Sequence, residues 1–150
     1  LKKISNDKIR NVLLLNNIKN VKDYLVSSDI FLSTSFYEGL PFSVIEAMSL
    51  KLPVILSKVT GNVDTIEDGI SGYFYKLGNV NQASNLIKKL SISKKKRNYL
   101  GKNALIRKQN KFNIIDMISS HEKLYNEFSR WIYKDNLINN EGCIFIFRTI

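Results

Sequence analysis

The sequence predicts an α/β fold in which a parallel sheet is covered by helices on both faces. Short, continuously apolar runs alternate with segments of helical periodicity, which is typical of strands that are buried on both faces. The chain has 150 residues, enough for one domain with a sizeable core.

The alternating elements occupy the first half of the chain. We predict strands at residues 12–15, 29–33, 53–57 and 72–75, because each is a short apolar run. Helices are predicted at residues 21–27 and 41–50, and a short helical turn at residues 64–67.

Three further helices are predicted after the last strand, at residues 81–90, 94–109 and 114–130. One apolar face of the last helix is formed by the following residues: Ile114, Ile115, Ile118, Tyr125 and Phe128. We take residues 1–130 as one domain. Residues 131–150 form a tail without an assigned role, in which residues 143–147 are strand-like.

Two glutamates with seven residues between them are the most informative feature of the chain. Glu38 lies in a polar and aromatic loop after the predicted strand at residues 29–33. Glu46 falls inside the next predicted helix, which is otherwise strongly apolar. A carboxylate is costly to bury unless a hydrogen bond satisfies it, so we expect a polar ligand to dock there.

The turn between the glutamates has the features of an anion site. Pro41 suits the first position of a helix, where its missing N–H costs nothing. The free N–H groups of the first turn and the positive end of the helix dipole favour an anion, typically phosphate. Gly39 permits close approach of the backbone to a ligand.

Each of these residues also has a purely structural interpretation. Glu38 alone is more often a solvated loop carboxylate, and residues 39–41 are also compatible with a simple helix start. Glu46 would point to solvent in a helix rotated to bury another set of residues: Phe42, Ile45 and Ser49.

Further motifs follow in a definite order and spacing. They are SDIFLSTS at residues 28–35, EGLP at 38–41, EAM at 46–48, LPVILS at 52–57, TGNVD at 60–64, IEDG at 66–69 and GY at 72–73. This series closely resembles the donor-binding half of GT4-type glycosyltransferases of the GT-B fold, whose hallmark is two glutamates with seven residues between them. The resemblance runs from about residue 12 to residue 128.

The resemblance implies a Rossmann-like C-terminal domain and retaining transfer from a nucleotide diphosphate sugar. It assigns Glu46 to the ribose hydroxyls, and Glu38 to the transferred sugar as the catalytic candidate. The donor-binding stretch between them, whose backbone would hold the diphosphate, comprises Gly39, Leu40, Pro41, Phe42 and Ser43. No metal or other cofactor is implied, and the sequence contains neither Asp-x-Asp nor clustered His and Cys ligands.

The chain departs from the family pattern at one loop. Asp64 stands where a glutamate is usual, Val63 replaces a common proline, and Thr60 takes the first position of a frequent Gly-Gly pair. The Arg and Lys that neutralise the diphosphate in the family have no counterpart here, and neither does the acceptor-binding domain. We therefore expect the chain to be the C-terminal piece of a longer enzyme, inactive alone.

Charge is the second global feature, since 23 Lys and Arg face 13 Asp and Glu. The basic residues are concentrated between positions 88 and 108. An ordinary solvated helix face explains them, and attraction to anionic lipid headgroups is the functional alternative. Nucleic acid is disfavoured, because the cluster lacks interleaved aromatic residues.

The sequence-based hypothesis is a cytoplasmic glycosyltransferase part, peripheral on the inner membrane face, acting on polysaccharide or glycolipid precursors. Its partners would be the nucleotide-sugar donor and, through the missing N-terminal domain, a glycan or lipid-linked acceptor. The single cysteine, Cys143, fits a reducing compartment. Two alternatives stay open: a truncated remnant that only binds nucleotide sugar, and a non-enzymatic Rossmann-like module that docks on membranes or a partner.

Overall fold

The computed structural model describes residues 11–134 of the chain. Its elements in chain order are α1 (Val21–Val26), β1 (Phe31–Ser33), α2 (Phe42–Ser49), β2 (Val54–Ser57), β3 (Tyr73–Tyr75), α3 (Val80–Ser91), α4 (Lys94–Lys111) and α5 (Ile114–Lys134). The predicted α/β class is confirmed.

The strands of the described residues form one parallel sheet in the order β1-β2-β3. Ser33 pairs with Leu56, and Ser57 pairs with Tyr75, so the carboxyl ends of all three strands meet at one edge. All four residues of β2 are buried, so both faces of this central strand are covered. In open α/β sheets, ligands bind beyond this edge.

Helices pack on the sheet through small and aliphatic side chains. Helix α2 contacts β1 and β2, and its buried residues are Val44, Ala47 and Met48. Helix α3 contacts β2 and β3. A core cluster joins the sheet to α3 and α4 through Ile55, Tyr73, Tyr75, Ala83, Leu90 and Leu100.

Arg97 of α4 ties the end of α3 to the loop before β1. Its guanidinium donates to the carbonyl oxygens of Leu90 at 2.8 Å and Ser91 at 3.0 Å. The same group lies 3.2 Å from a carboxylate oxygen of Asp29. One residue of the predicted basic cluster is therefore a helix cap.

The chain divides into two compact units, residues 1–105 and 106–150, and α4 passes from the first to the second. In the second unit, the predicted apolar residues of α5 are present on a helix, but all are exposed, from 41% for Phe128 to 70% for Ile115. No helix within residues 11–134 is long and apolar enough to cross a membrane.

The prediction of a strand at residues 12–15 is wrong. These residues pair with no strand, and the exposed fraction of their side chains runs from 41% for Leu15 to 76% for Leu13. An apolar run becomes a strand only where a neighbouring strand accepts its backbone hydrogen bonds, and none of the three described strands adjoins it. Residues 143–147 lie outside the described residues.

The helical turn predicted at residues 64–67 is also wrong. Residues 60–65 form a tight turn, in which the hydroxyl of Thr65 donates to the carbonyl oxygen of Asn62 at 2.6 Å. Ile66 follows the turn and is 3% exposed. Its side chain packs against Gly72. The turn therefore ends at Thr65, and residues 66 and 67 are not helical.

Candidate functional site

Glu38 lies in the loop that follows β1, at the carboxyl edge of the sheet. The hydroxyl of Ser35 donates to its Oε1 atom at 2.6 Å. The backbone N–H of Glu38 donates to the carbonyl oxygen of Thr60 at 3.2 Å, which links this loop to the turn at residues 60–65. Glu38 is half-buried, and its carboxylate has a hydrogen-bond donor within the loop.

Buried polar residues hold the same loop and the end of β1 in place. The Ser57 hydroxyl donates to the carbonyl oxygen of Ser35 at 2.6 Å, and the Tyr75 hydroxyl donates to that of Ser33 at 3.1 Å. Asn62 is fully buried and donates from Nδ2 to the Ser57 carbonyl oxygen at 3.0 Å. Ser35, Ser57 and Asn62 were not predicted from the sequence, and of these only Ser57 carried a signal, because it ends an apolar run.

The start of α2 differs from the prediction by one residue. Pro41 is the N-cap, with ψ of 84°, so the helix begins at Phe42 and Pro41 does not take its first position. The carbonyl oxygen of Pro41 accepts from the N–H groups of Val44 and Ile45, at 3.0 and 3.2 Å. The amide of Ser43 donates to no backbone carbonyl of the described residues and is the first-turn donor left for an anion.

The donor-binding stretch leaves its backbone accessible. A Cβ atom built on Gly39 would meet nothing within 4 Å. Leu40 and Phe42 are 47% and 70% exposed, although both are large apolar residues. Packing within the described residues therefore gives no reason for a glycine at position 39, whereas an approaching ligand would.

Glu46 is exposed and lines a cavity of about 700 Å³ between α2 and residues 19–25. Glu46 is thus exposed, as the structural interpretation of the sequence expected, although α2 buries Val44, Ala47 and Met48 and not Phe42 and Ser49. Glu38 is not among the residues that line this cavity. The two glutamates thus lie on either side of the first turn of α2: Glu38 is in the loop before the helix, and Glu46 is in its second half, where it lines the cavity.

A free carboxylate at the wall of such a cavity can accept two hydrogen bonds from neighbouring hydroxyl groups. Ser49 and Leu50 line the cavity beside Glu46, and Lys19, Lys22 and Asp23 lie across from α2. The cavity therefore combines an acceptor for a diol with charged and apolar walls. Residues 11–134 contain no group of three or more His, Cys, Asp or Glu that could hold a metal ion.

The basic segment is partly engaged in packing. The Nζ atoms of Lys89 and Lys96 lie 4.8 and 5.9 Å from the centre of the Tyr73 ring. A hydrogen bond to Tyr73 raises the pKa of Lys96 above its ordinary value of 10.5, although partial burial opposes the shift. Lys94 and Lys95 are exposed.

A protein-family model described as "Glycosyl transferases group 1" matches residues 2–107 of the chain. The capsular polysaccharide biosynthesis glycosyltransferase CapM of Staphylococcus aureus is 30% identical over 118 residues, which are 79% of this chain and 31% of CapM. An Escherichia coli enzyme, "UDP-Gal:alpha-D-GlcNAc-diphosphoundecaprenol alpha-1,3-galactosyltransferase", is 28% identical over 77% of this chain and 30% of its own length.

The fold is also similar to a solved structure, that of S. aureus TarM in complex with Fondaparinux, alpha-GlcNAc-glycerol and UDP. The TM-score is 0.79 at 29% identity, over 83% of this chain and 26% of TarM. The chain thus spans about a third of the length of the two curated relatives, and about a quarter of TarM.

Proposed function

This chain belongs to the glycosyl transferases group 1 family, and we propose that it is the donor-binding part of a retaining, GT4-type glycosyltransferase. In this proposal the whole protein transfers a sugar from a nucleotide diphosphate sugar to a glycan or a lipid-linked acceptor. One observation carries the proposal. The backbone before α2 is accessible at Gly39, Glu38 lies in the same loop, and Glu46 lies in the second half of α2 at the wall of the 700 Å³ cavity.

The donor would lie along the start of α2. Glu46 would accept hydrogen bonds from the ribose hydroxyls, because its carboxylate faces the cavity and is exposed. The diphosphate would lie against the backbone from Gly39 to Ser43, where the amide of Ser43 and the helix dipole favour negative charge. Glu38 would then contact hydroxyl groups of the transferred sugar as the catalytic candidate.

This arrangement stabilises the leaving diphosphate with a helix start and not with a metal ion. We therefore propose that no obligatory metal or other cofactor takes part. Treatment with EDTA is expected to leave the affinity for nucleotide unchanged, and a loss of affinity would contradict this part of the proposal.

Uridine diphosphate is the first donor nucleotide to test. The E. coli relative is named for UDP-Gal, and TarM was solved with UDP. The acceptor would bind to the remaining part of the longer protein, since the chain corresponds to about a third of each curated relative. An acceptor in polysaccharide synthesis is supported by the name of CapM, and a lipid-linked acceptor by that of the E. coli relative.

A location in the cytoplasm, on the inner face of the membrane, belongs to the same proposal. The supporting observation is the set of exposed lysines at the start of α4, Lys94 and Lys95, which could meet anionic headgroups. Sedimentation with anionic vesicles at low salt, lost at high salt, is the expected result. Equal sedimentation with neutral vesicles would contradict it.

The experiment that tests donor binding is titration calorimetry of the chain with UDP, GDP and ADP. Glu46→Ala is expected to weaken binding by about 1.5–3 kcal/mol, the usual contribution of a hydrogen bond to a charged group. Glu122→Ala is the matched control, because Glu122 is an exposed glutamate in α5. An affinity unchanged by Glu46→Ala would rule out the ribose assignment.

The same titration separates a docking module from the two alternatives that bind nucleotide. A remnant would bind nucleotide with the same dependence on Glu46 as the enzyme, and an assay of sugar transfer distinguishes these two. A docking module would bind no nucleotide and would bind vesicles or a protein instead. If the chain binds none of the three nucleotides, repeating the titration on a longer protein with the upstream Arg and Lys distinguishes an incomplete site from an absent one.

A further inference from the structure

A short chain of hydrogen bonds ends at the carboxylate of Glu38. Ser35 donates its single hydroxyl proton to Glu38 Oε1 at 2.6 Å. The oxygen of Ser35 lies 3.1 Å from the hydroxyl oxygen of Ser33. Because the proton of Ser35 is already used, Ser33 must be the donor in that pair. The series of hydrogen bonds therefore runs from Ser33 through Ser35 to Glu38.

A second chain fixes the backbone of Ser35. The Ser57 hydroxyl donates to the Ser35 carbonyl oxygen at 2.6 Å, so its oxygen is left as an acceptor. Nδ2 of Asn62 lies 3.4 Å from that oxygen and 3.0 Å from the Ser57 carbonyl oxygen. Ser57 and Asn62 are both fully buried, so this support is shielded from water.

The two chains reach the loop from different elements. Ser57 ends β2, Tyr75 ends β3, and Asn62 belongs to the turn at residues 60–65. Ser57 bonds the loop after β1, and Tyr75 donates to the carbonyl oxygen of Ser33, the last residue of β1, at 3.1 Å. The carboxylate of Glu38 is thus held by a rigid edge of the sheet, although it lies in a loop.

We propose that Ser35 is a positioning residue for Glu38, which holds the carboxylate in one rotamer, and that Ser57 and Asn62 hold Ser35 in place. The inference rests on the proposed function, in which Glu38 contacts the transferred sugar. Groups that act on a substrate need to be held within a fraction of an ångström by their neighbours. Without the Ser35 hydroxyl, Glu38 would occupy several rotamers in the free protein and would become fixed only when the sugar binds. The conformational entropy lost at that step opposes binding.

The first test measures the rotamer of Glu38 in the free chain, by three-bond NMR couplings about its χ1 angle. Wild type and Ser35→Thr, which keeps the hydroxyl, are expected to show one rotamer, and Ser35→Ala an average over several. Ser91→Ala is the matched control, because it removes a serine hydroxyl that bonds a helix carbonyl elsewhere, that of Lys88. An unchanged rotamer in Ser35→Ala, or averaging already in wild type, would overturn the inference.

The second test compares UDP with UDP-glucose, UDP-galactose and UDP-N-acetylglucosamine by calorimetry. Ser35→Ala is expected to lower the affinity for the best-bound sugar nucleotide about tenfold, roughly the loss of one strong hydrogen bond, and to leave that for UDP unchanged. Ser35→Thr should restore it. An equal loss for UDP would mean that Ser35 only maintains the fold of the loop, and would contradict a role at the sugar.

The two tests fail in different ways. A longer wild-type protein, with the upstream Arg and Lys, that binds neither UDP nor any of the three sugar nucleotides contradicts the proposed function, while the couplings still decide whether Ser35 fixes Glu38. If Ser35→Ala lowers the melting temperature too far for measurement, Ser57→Ala replaces it. That variant removes the support of the Ser35 carbonyl and should average the Glu38 rotamer to a smaller extent.

Discussion

A Cβ atom on Gly61 would overlap the carbonyl oxygen of Glu38, so these two residues pack backbone against backbone. Gly61 has a φ of 85°, a conformation that other residues rarely adopt. The adjacent Thr60 accepts the N–H of Glu38 at 3.2 Å. The turn at residues 60–65 and the loop that carries Glu38 therefore behave as one structural piece.

Gly61→Ala should displace this piece and lower both stability and donor affinity. Gly78→Ala is the matched control, because Gly78 also has positive φ, 81°, but a Cβ atom there would meet nothing within 4 Å. The control should cost about 1–2 kcal/mol for the left-handed conformation alone. Urea unfolding of the two variants separates this strain from the effect of the overlap. Equal losses of unfolding free energy in the two variants would show that the Glu38 loop moves away from the new Cβ atom at no cost.

Arg97→Ala should lower the free energy of unfolding by about 1–3 kcal/mol, because the guanidinium bonds the carbonyl oxygens at the end of α3. Asp29→Ala should change it by about 1 kcal/mol or less, since the Asp29 side chain is 79% exposed. Arg97→Lys should restore the loss only in part, because one ammonium nitrogen cannot replace both Nη1, which bonds the two carbonyl oxygens, and Nη2, which lies 3.2 Å from Asp29. Urea unfolding checks all three variants. A larger loss for Asp29→Ala than for Arg97→Ala would show that the ion pair, and not the cap, is the important contact.

Tyr73→Phe should lower the pKa of Lys96 towards 10.5, because it removes the hydrogen bond that raises it. A raised pKa of a lysine stabilises the fold fully below pH 10.5, and this stabilisation disappears as the pH rises through the raised value. The advantage of wild type over the variant should therefore shrink above pH 10.5. NMR titration of the lysine Cε signals measures the shift, and Tyr99→Phe, at a tyrosine that is 55% exposed, is the control.

The sequence predicted the helices and the three strands of the sheet well, because each has its own periodicity or apolar run. Helices α3 and α4 begin within one residue of the predicted positions, and β2 begins at Val54 where residue 53 was expected. The run at residues 12–15 shows the limit of this reasoning. Strand propensity is local, whereas pairing depends on a neighbour that the run itself does not encode.

The candidate site was predicted in part. The spacing of Glu38 and Glu46 indicated where the site lies, but the orientation of Glu46 depended on which side of α2 met the sheet. Several faces of an apolar helix can be buried, and only packing selected Val44, Ala47 and Met48. The support of Glu38 by Ser57 and Asn62 was not predictable, because it joins residues whose contact arises from the parallel pairing of β1 and β2.

Asn62→Asp should destabilise the chain in a pH-dependent way. Nδ2 of Asn62 donates to the Ser57 carbonyl oxygen at 3.0 Å in a fully buried position. An ionised carboxylate there would face an acceptor, whereas a protonated one could still donate to it. Burial would raise the pKa of the introduced carboxyl above its ordinary value of about 3.9, so the destabilisation should increase as the pH rises from about 4 to 7.

Asn62→Ala is the reference for this effect, because it removes the donor at every pH without adding a charge. Measured in urea at several pH values, the unfolding free energy of Asn62→Asp should be at least that of Asn62→Ala near pH 4, where the protonated carboxyl still donates, and should fall relative to it towards pH 7. A difference that stays constant with pH would mean that the turn at residues 60–65 opens to hydrate the carboxylate. Asn62 would then not be a fixed support for Ser57 or, through Ser57, for Ser35.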